Sequence, residues 1–207
     1  MAEHGPPLAQ SGKRMTNHFK RLHTERGVSL VEMMLTMAVF AIVGGMAAAT
    51  MTSSRRALQS DGAMRTVMSE LNSARETALT QRRNVQVQFV GGNWIRVIRL
   101  ELNNTTTVLR SVALEGNMTF ALVAGVPDTP DLFGNGSPVA FGAAASIQFN
   151  GEGALVDGGG TPINGTVFMS FGGKAPSCRA VTVLGSTGRV RGYKWISTQT
   201  GSGWYRV

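Results

Sequence analysis

The sequence predicts an α+β protein, in which a long N-terminal helix with a membrane half and an amphipathic half packs on an antiparallel β-sheet domain. Three observations lead to this prediction. The run from Met33 to Met51 carries no charge, apolar residues then recur at helical spacing, and beyond Asn84 they alternate with a period of two. The chain has 207 residues, which suits one globular domain together with an anchor or a tail.

Residues 1–27 form a polar leader in this interpretation. The stretch contains Pro6, Pro7 and Gly12 and shows no apolar periodicity, so we expect no regular element in it. Its charge is strongly positive, because five Lys and Arg residues face only two glutamates. These residues are Lys13, Arg14, Lys20, Arg21 and Arg26, against Glu3 and Glu25. Met15 is an alternative start, and the sequence leaves open which methionine begins the protein.

Residues 28–54 are predicted to be a membrane-spanning and assembly helix. A helix rises 1.5 Å per residue, so the 19 uncharged residues reach roughly 28 Å, about the thickness of the hydrocarbon core of a bilayer. Basic residues on the N-terminal side of this run place the N-terminus in the cytoplasm by the positive-inside rule. On the C-terminal side, the apolar run is followed by the charged residues Arg55 and Arg56.

Residues 55–83 are predicted to continue the helix as its amphipathic half. Apolar residues recur here at spacings of four, three, three and four, which places them on one face of a helix. They are Met64, Met68, Leu71, Ala74 and Ala78, with Val67 beside them. This face is expected to cover the sheet domain.

Residues 84–207 are predicted to form an antiparallel sheet of six to eight short strands. The alternation in Val85–Phe89, the turn at Gly91-Gly92-Asn93 and the return strand Trp94–Leu100 indicate a hairpin. The stretch Gly125–Gly142, which contains three prolines, is expected to be a long loop. Six further strands are predicted: Thr106–Val112, Met118–Val123, Ser146–Phe149, Thr166–Phe171, Arg179–Leu184 and Gly188–Ile196.

The composition argues against an enzyme. Cys178 is the single cysteine, so a disulfide within the chain is excluded. The three histidines, His4, His18 and His23, all lie in the leader, so the rest of the chain lacks the residue on which most nucleophilic and metal chemistry depends. We therefore predict no catalytic residues, no cofactor and no metal site.

The junction of the basic leader and the apolar run carries the most specific signal. Gly27 is a small residue at that junction, and Glu32 lies inside what would be hydrocarbon. A charge there costs several kcal/mol unless it is paired. Cleavage after Gly27 would create an α-amino group on Val28, and this cation on one helix is able to pair with Glu32 on the next.

The segment of residues 26–55 resembles the class III signal of type IV pilins and pseudopilins. The resemblance implies a pilin-like fold and a membrane peptidase that cuts between Gly27 and Val28 and methylates the amine of Val28. It also implies that Glu32 is neutralised by the N-terminus of a neighbouring subunit. Val28 stands where phenylalanine is usual in the family. Two alternatives compete: a secretory signal peptide with an A-x-A site at Ala47-Ala48-Ala49, and a plain membrane anchor.

The last part of the chain is a basic segment. After Asp157 there are six cations and no carboxylate: Lys174, Arg179, Arg189, Arg191, Lys194 and Arg206. On a strand, Arg189, Arg191 and Tyr193 project from one face, and Val190, Gly192 and Lys194 from the other. Two guanidinium groups with aromatic neighbours suit phosphate contacts and base stacking. The alternative is a solvated edge strand whose charges deter sheet association.

The helix-then-strands order and the ending RAVTVLGSTGRVRGYKW resemble the GspH/FimT branch of minor pseudopilins. In some members associated with competence, a Gly-Arg-x-Arg motif binds DNA, and Gly188, Arg189 and Arg191 match it, with Lys194 nearby. A weaker signal is the Gly-rich stretch with Asn150, Glu152 and Asp157, whose oxygens could hold Ca²⁺. It lacks the spacing of an EF-hand, and residues of this kind are common in turns, which is the interpretation we favour.

The combined prediction is a minor pseudopilin of a type II secretion system, which assembles into a periplasmic pseudopilus. The alternative is a FimT-like minor type IV pilin that binds double-stranded DNA for natural transformation. In both cases the expected partners are the prepilin peptidase, other pilin or pseudopilin subunits and the inner membrane. The chain would cross that membrane once, with the C-terminal domain in the periplasm.

Overall fold

The structure is a computed structural model that describes residues 27–103, 105–142, 147–198 and 201–207. The chain divides into two compact units, Met1–Gly45 and Met46–Val207, and each is described by itself below. The predicted leader lies outside the described residues except for Gly27, and so do the three histidines.

One long helix, α1, runs from Leu30 to Gln81 and contributes to both units. Its N-terminal stretch Leu30–Ala48 has a mean hydropathy of 2.0 and none of it is buried within the protein. By length and composition this stretch is able to cross a membrane. The observed helix therefore covers the predicted span of residues 28–54 from Leu30 onward.

In the second unit, α1 buries the apolar stripe that the spacing predicts. Ala63, Met64, Val67, Leu71, Ala74 and Ala78 are all 0–1% exposed, and Met68 packs against them. Apart from the adjacent pairs Ala63–Met64 and Val67–Met68, these positions recur every three or four residues, so they form one face of the helix. The helix ends at Gln81 because Arg82 adopts a left-handed backbone conformation with φ of 49°.

Eleven strands follow α1 in the described part of the chain. They are β1 Val85–Val90, β2 Trp94–Leu100, β3 Thr106–Ala113, β4 Met118–Phe120, β5 Val139–Ala140, β6 Ile147–Phe149, β7 Leu155–Val156, β8 Gly165–Phe171, β9 Arg179–Leu184, β10 Arg189–Thr198 and β11 Gly201–Arg206. The predicted hairpin is confirmed, with Val85 opposite Arg99 and Val90 opposite Trp94. Ser146, the predicted first residue of one strand, lies outside the described residues.

The prediction of one sheet with six to eight strands is wrong, because the strands form two antiparallel sheets. We call them sheet I, in the order β3-β2-β1-β6-β7, and sheet II, in the order β11-β10-β9-β8-β4 with β5 also paired to β8. The two-residue strands β5 and β7 are too short for an alternation signal, and β11 is rich in glycine. The predicted loop Gly125–Gly142 is correct apart from β5 and a 3₁₀ turn at Pro130–Leu132.

The main core lies where the stripe of α1 meets both sheets. Sheet I contributes Val87 and Val97, among others, and sheet II contributes Val167, Met169 and Val181. Alternation along each strand sends every second side chain to this core. The opposite face of sheet II carries a second cluster, formed by Phe168, Ala180 and Tyr193 with Leu122 and Trp204 packed against them.

Two ion pairs tie α1 to the sheets at their polar margins. On sheet II, the Nε atom of Arg179 lies 2.6 Å from Oδ1 of Asp61, and Arg179 is only 5% exposed. On sheet I, the Nε atom of Arg110 lies 3.0 Å from Oε2 of Glu70. These contacts and the apolar stripe together fix the rotation of this part of α1 against the sheets.

Candidate assembly segment and basic strand

The first candidate site is the segment Gly27–Glu32 at the start of α1. Gly27 and Val28 are exposed and precede the helix, so the peptide bond between them lies in an accessible, non-helical stretch. The carbonyl of Ser29 accepts the first helical hydrogen bond from the amide of Met33 at 3.1 Å. Glu32 consequently lies in the first turn of α1, where the helix dipole favours a negative charge.

Glu32 is exposed among apolar neighbours that are exposed as well. Leu30, Val31 and Leu35 are 76%, 72% and 65% exposed, so the carboxylate has a large apolar surface around it. A contiguous exposed apolar surface of this kind marks a site of contact with a membrane or with another protein. Glu32 thus places a carboxylate within an exposed apolar surface, and its role in assembly stays a prediction.

The second candidate site is strand β10, whose two faces are as predicted. Val190 packs against the main core, and a Cβ atom on Gly192 would lie 2.7 Å from the Sδ atom of Met68 on α1. Tyr193 instead belongs to the cluster on the outer face of sheet II. Because side chains alternate along a strand, Arg191 shares the outer face with Tyr193, while Lys194 lies on the side of α1. The structure therefore does not bring Lys194 together with Arg191 on one surface.

Arg191 is held by an acidic residue from the loop before β5. Its Nη1 atom donates to Oδ1 of Asp131 at 3.1 Å, and the hydroxyl of Tyr193 donates to the same oxygen at 2.8 Å. The hydroxyl of Thr182 donates to Oδ2 at 2.7 Å. The carboxylate is thus surrounded by three donors from β9 and β10. We call Asp131, Thr182, Arg191 and Tyr193 the Asp131 cluster.

The backbone of this loop is strained where it delivers the carboxylate. Asp131 and Leu132 have φ values of 55° and 60°, in the left-handed region of backbone conformation that residues other than glycine rarely adopt. Strain of this kind persists only where surrounding contacts fix the conformation. The three hydrogen bonds to Asp131 supply those contacts, so the loop conformation and the pairing of Arg191 depend on each other.

The electrostatics of the cluster follow from these contacts. Burial opposes ionisation of Asp131, but the hydrogen bonds from Thr182 and Tyr193 and the charge of Arg191 outweigh it and lower the pKa of the carboxyl. Burial and the hydrogen bond to Asp131 raise the pKa of Tyr193. The pKa of Arg191 is raised by its contact with the Tyr193 hydroxyl and by the charge of Asp131. At neutral pH the cluster therefore holds a carboxylate that accepts hydrogen bonds from a neutral phenol and from a charged guanidinium.

Arg189 is placed differently from Arg191. It is exposed, and among the ion pairs formed by the described residues none involves Arg189. Gly188 precedes it with a φ of 63°, a value that glycine adopts without strain. Of the two arginines in the predicted motif, Arg189 is therefore free to meet an external anion, and Arg191 already has an internal one.

The acidic stretch considered for calcium is built as turns. Oδ1 of Asn150 accepts the amides of Glu152 and Ala154 at 3.1 and 2.9 Å. Oδ1 of Asp157 accepts the amides of Gly159 and Thr161, both at 2.9 Å. These bonds fix local turns, as the alternative interpretation of this stretch expects.

Sequence reasoning missed Asp131 as part of this site. It lies 60 residues before Arg191, in a loop without regular periodicity, so no local pattern connects the two. The sequence holds one weak signal, because the dipeptide Pro130-Asp131 is typical of a turn. It does not indicate which residue the carboxylate contacts.

A long helix with an apolar N-terminal half, followed by a half that packs on antiparallel sheets, is the architecture of pilin-like subunits. The sequence matches the prokaryotic N-terminal methylation motif over residues 22–48. It also matches the model described as type II transport protein GspH over residues 63–188, more than half of the chain. The chain belongs to the GspH family of minor pseudopilins and pilins. Membership implies prepilin processing, anchoring by the apolar helix and assembly with other pilin or pseudopilin subunits.

Several solved structures resemble this chain at low sequence identity. Two crystal forms of the type IV minor pilin FimU of Pseudomonas aeruginosa share 16% and 17% identity, each with a TM-score of 0.45 and covering 69% of this chain and 91% and 96% of FimU. The minor pseudopilin EpsH of the Vibrio cholerae type 2 secretion system shares 12% identity, with a TM-score of 0.41 over 62% of this chain and 91% of EpsH. The sequence matches no curated protein.

Proposed function

We propose that the protein is a minor pseudopilin of a type II secretion system. The observation that carries this proposal is the match to the GspH model across the end of α1 and most of both sheets. In this proposal the prepilin peptidase cuts between Gly27 and Val28 and methylates Val28. The leader is cytoplasmic, the span crosses the inner membrane once and the sheets lie in the periplasm. The role is structural rather than catalytic.

Assembly in this proposal depends on Glu32. Its carboxylate pairs with the methylated amine of Val28 on a neighbouring subunit, since an unpaired charge among apolar helices would cost about 2.5–3.5 kcal/mol on insertion scales. Apolar packing brings the helices together, and the single ion pair selects their axial register.

The processing step is tested by the intact mass of protein extracted from membranes. The expected chain begins with methylated Val28. A chain that begins near Thr50, or one that retains residues 15–27, would contradict the proposal.

The assembly step is tested with Glu32→Ala. The variant is expected to insert in the membrane but to lose co-purification with the other pilus or pseudopilus subunits. Glu76→Ala is a matched control, because it removes an exposed carboxylate from the same helix. Normal co-purification of the Glu32 variant would show that the carboxylate has no role in assembly.

Secretion is tested by deleting the gene and measuring both secreted proteins and transformation frequency. We expect secreted proteins to accumulate in the periplasm while transformation is unchanged. Loss of transformation with normal secretion would favour the second candidate.

The second candidate function is a minor type IV pilin that binds double-stranded DNA through Gly188, Arg189, Arg191 and Lys194. The observation that favours it is the exposed Arg189, which forms none of the ion pairs among the described residues. Its test is a titration of the full chain with double-stranded DNA. Arg189→Ala combined with Arg191→Ala is expected to weaken binding and to lower its salt dependence. Unchanged affinity and salt dependence would exclude this candidate.

A further inference from the structure

Three cations of the second unit lie close to the point where the apolar span ends. Arg55 and Arg56 follow Ala48, the last residue of the span, on the same helix at a distance of about 10–12 Å along its axis. Lys174 lies in the turn between β8 and β9. All three residues are exposed. We call Arg55, Arg56 and Lys174 the basic collar.

An aromatic contact brings the turn of Lys174 to the level of the two arginines. The guanidinium carbon of Arg56 lies 5.7 Å from the centre of the Phe171 ring, and Phe171 packs against the main core. The amide of Lys174 donates to the carbonyl of Phe171 at 3.2 Å, so Lys174 is one tight turn away from this contact. Arg55 points away from Arg56 by about 100° around the helix axis. The collar therefore extends around α1 at one height.

The collar cations keep their capacity to bind an anion. Phenylalanine has no hydrogen-bond acceptor, so the contact with Phe171 leaves the N–H donors of Arg56 unused. None of the ion pairs formed by the described residues includes Arg55, Arg56 or Lys174. Three positive charges thus face outward at this level of the helix.

The carboxylates around this end of the sheets lie further from the span. Asp61 is five residues beyond Arg56 on α1, about 8 Å along the helix axis, and it already pairs with Arg179. Glu115 lies beside Gly62, at the same level as Asp61. The charge is consequently divided along the axis, with the cations on the side of the span and the acidic groups beyond them.

We infer that the basic collar binds the headgroups of anionic phospholipids at the membrane surface on the C-terminal side of the span. The polar layer of a bilayer extends roughly 5–8 Å beyond the hydrocarbon core, and long arginine and lysine side chains are able to reach back to it from α1. Guanidinium groups form charge-assisted hydrogen bonds with phosphate oxygens. Because the span holds the collar at this depth, the phosphate that it meets at high local concentration belongs to a lipid.

The inference goes beyond the proposed function and applies equally to a pseudopilin and to a pilin. In the proposed orientation the collar lies on the periplasmic side, where the positive-inside rule disfavours cations next to a span. Binding of anionic headgroups gives these cations a role there. The contacts would orient the sheets on the bilayer while the subunit is still in the membrane.

The experiment uses the full chain reconstituted in phosphatidylcholine vesicles. Electron paramagnetic resonance measures how strongly spin-labelled phosphatidylglycerol associates with the protein relative to spin-labelled phosphatidylcholine. Replacing all three collar cations by glutamine is expected to lower this ratio by about three- to fivefold at 0.1 M salt. Arg55→Gln alone, which leaves the contact between Arg56 and Phe171 intact, should lower it by about a third to a half as much on a logarithmic scale.

Arg65→Gln is the matched control, because it removes an exposed arginine from the same helix about 14 Å beyond Arg56. The ratio should stay unchanged in this variant. The cations of the leader are present in every variant, so the differences between variants report the collar. A thermal melt of each variant shows whether its fold is retained.

Three outcomes would overturn the inference. The first is an equal ratio for the wild type and for both collar variants. The second is an equal decrease for Arg65→Gln, which would show that the lipids respond to net charge and not to the collar. The third is a decrease for the wild type when inorganic phosphate replaces chloride at constant ionic strength, which would assign the collar to free phosphate.

Discussion

Replacing Asp131 with asparagine tests whether the Asp131 cluster stabilises the fold. The substitution keeps the size of the side chain, and asparagine tolerates the left-handed backbone at this position. It removes the negative charge on which the hydrogen bonds from Thr182, Arg191 and Tyr193 converge. The structure therefore predicts a loss of electrostatic stabilisation without a change of packing.

The size of the loss follows from the geometry. Hydrogen bonds to a charged group contribute about 1.5–3 kcal/mol each when fully formed. The side chains of Asp131 and Arg191 are 18% and 27% exposed, so solvent reduces this contribution. Asparagine also still accepts at one oxygen. We expect a net loss of about 2 kcal/mol, which corresponds to a decrease in Tm of about 4–8 °C for a domain of this size.

The pH dependence provides a second check on the Asp131 cluster. The folded-state pKa of Asp131 lies below its ordinary value of 3.8, so its contribution to stability is present above 3.8 and is lost as the pH falls through the folded pKa. The difference in Tm between wild type and Asp131→Asn should therefore be full at pH 7 and should shrink below pH 4.

Thermal melts of the full chain in detergent, followed by circular dichroism from pH 7 to pH 3, provide this measurement. Asp128→Asn is the control, because it also removes one negative charge from the same loop. The carboxylate of Asp128 lies outside the Asp131 cluster and accepts a hydrogen bond from the backbone amide of Gly136 at 2.7 Å. Its effect should be smaller. Equal Tm values for wild type and Asp131→Asn at pH 7, or a difference that does not change with pH, would refute the reasoning.

Three further predictions concern the core, the helix contact and the single thiol. Leu71→Ala should lower the free energy of unfolding by about 2.7–5 kcal/mol, because Leu71 is fully buried, whereas Leu79→Ala at a 38% exposed position should cost far less. Denaturant titration measures both, and similar values would contradict the core assignment. Asp61→Asn should lower the free energy of unfolding by about 1–3 kcal/mol, because it leaves the buried guanidinium of Arg179 without its carboxylate. An unchanged free energy of unfolding would show that the ion pair is dispensable. Burial raises the pKa of Cys178 to about 11, so little of the thiol is ionised at pH 8. Alkylation by iodoacetamide at pH 8 should therefore be slow in the folded chain and fast in denaturant. Equal rates would show that the thiol is accessible in the folded chain.

The helix and the first hairpin could be predicted from the sequence because their signals are local. The stripe from Met64 to Ala78 repeats over neighbouring turns, and the alternation before Gly91-Gly92-Asn93 lies within a few residues of its partner strand. Tertiary contacts reinforce both patterns rather than oppose them. This agreement between local pattern and packing is the reason that the α+β class was predictable.

The division into two sheets was not predictable, because it depends on pairings between distant strands. β1 pairs with β6, and β4 with β8, across segments of about 50 residues or more that contain no regular repeat. β11 begins with Gly201-Ser202-Gly203, a composition that resembles a loop, and it is a strand because β10 supplies its hydrogen-bonding partners. Strand propensity depends strongly on such surroundings.

The candidate sites show the same limit. Gly27, Val28 and Glu32 lie within one short segment, so sequence alone proposes them together. Arg189 and Arg191 were proposed together for the same reason, but their surroundings differ because Asp131 reaches Arg191 from a distant loop. A spacing pattern states which residues share a face, and it does not state which of them already have a partner.

Gly192 has a consequence for the order in which the protein matures. The chain is synthesised from its N-terminus, so α1 is made well before β10. The sulfur atoms of Met64 and Met68, against which the backbone of Gly192 packs, therefore stay uncovered until β10 is complete. A shift of β10 by one residue would place Arg191 or Tyr193 against these methionines, where neither fits. The segment from Arg189 to the C-terminus, about a tenth of the chain, therefore completes the surface that α1 has exposed since its synthesis. A subunit truncated before Gly192 would carry its assembly helix without a finished domain behind it.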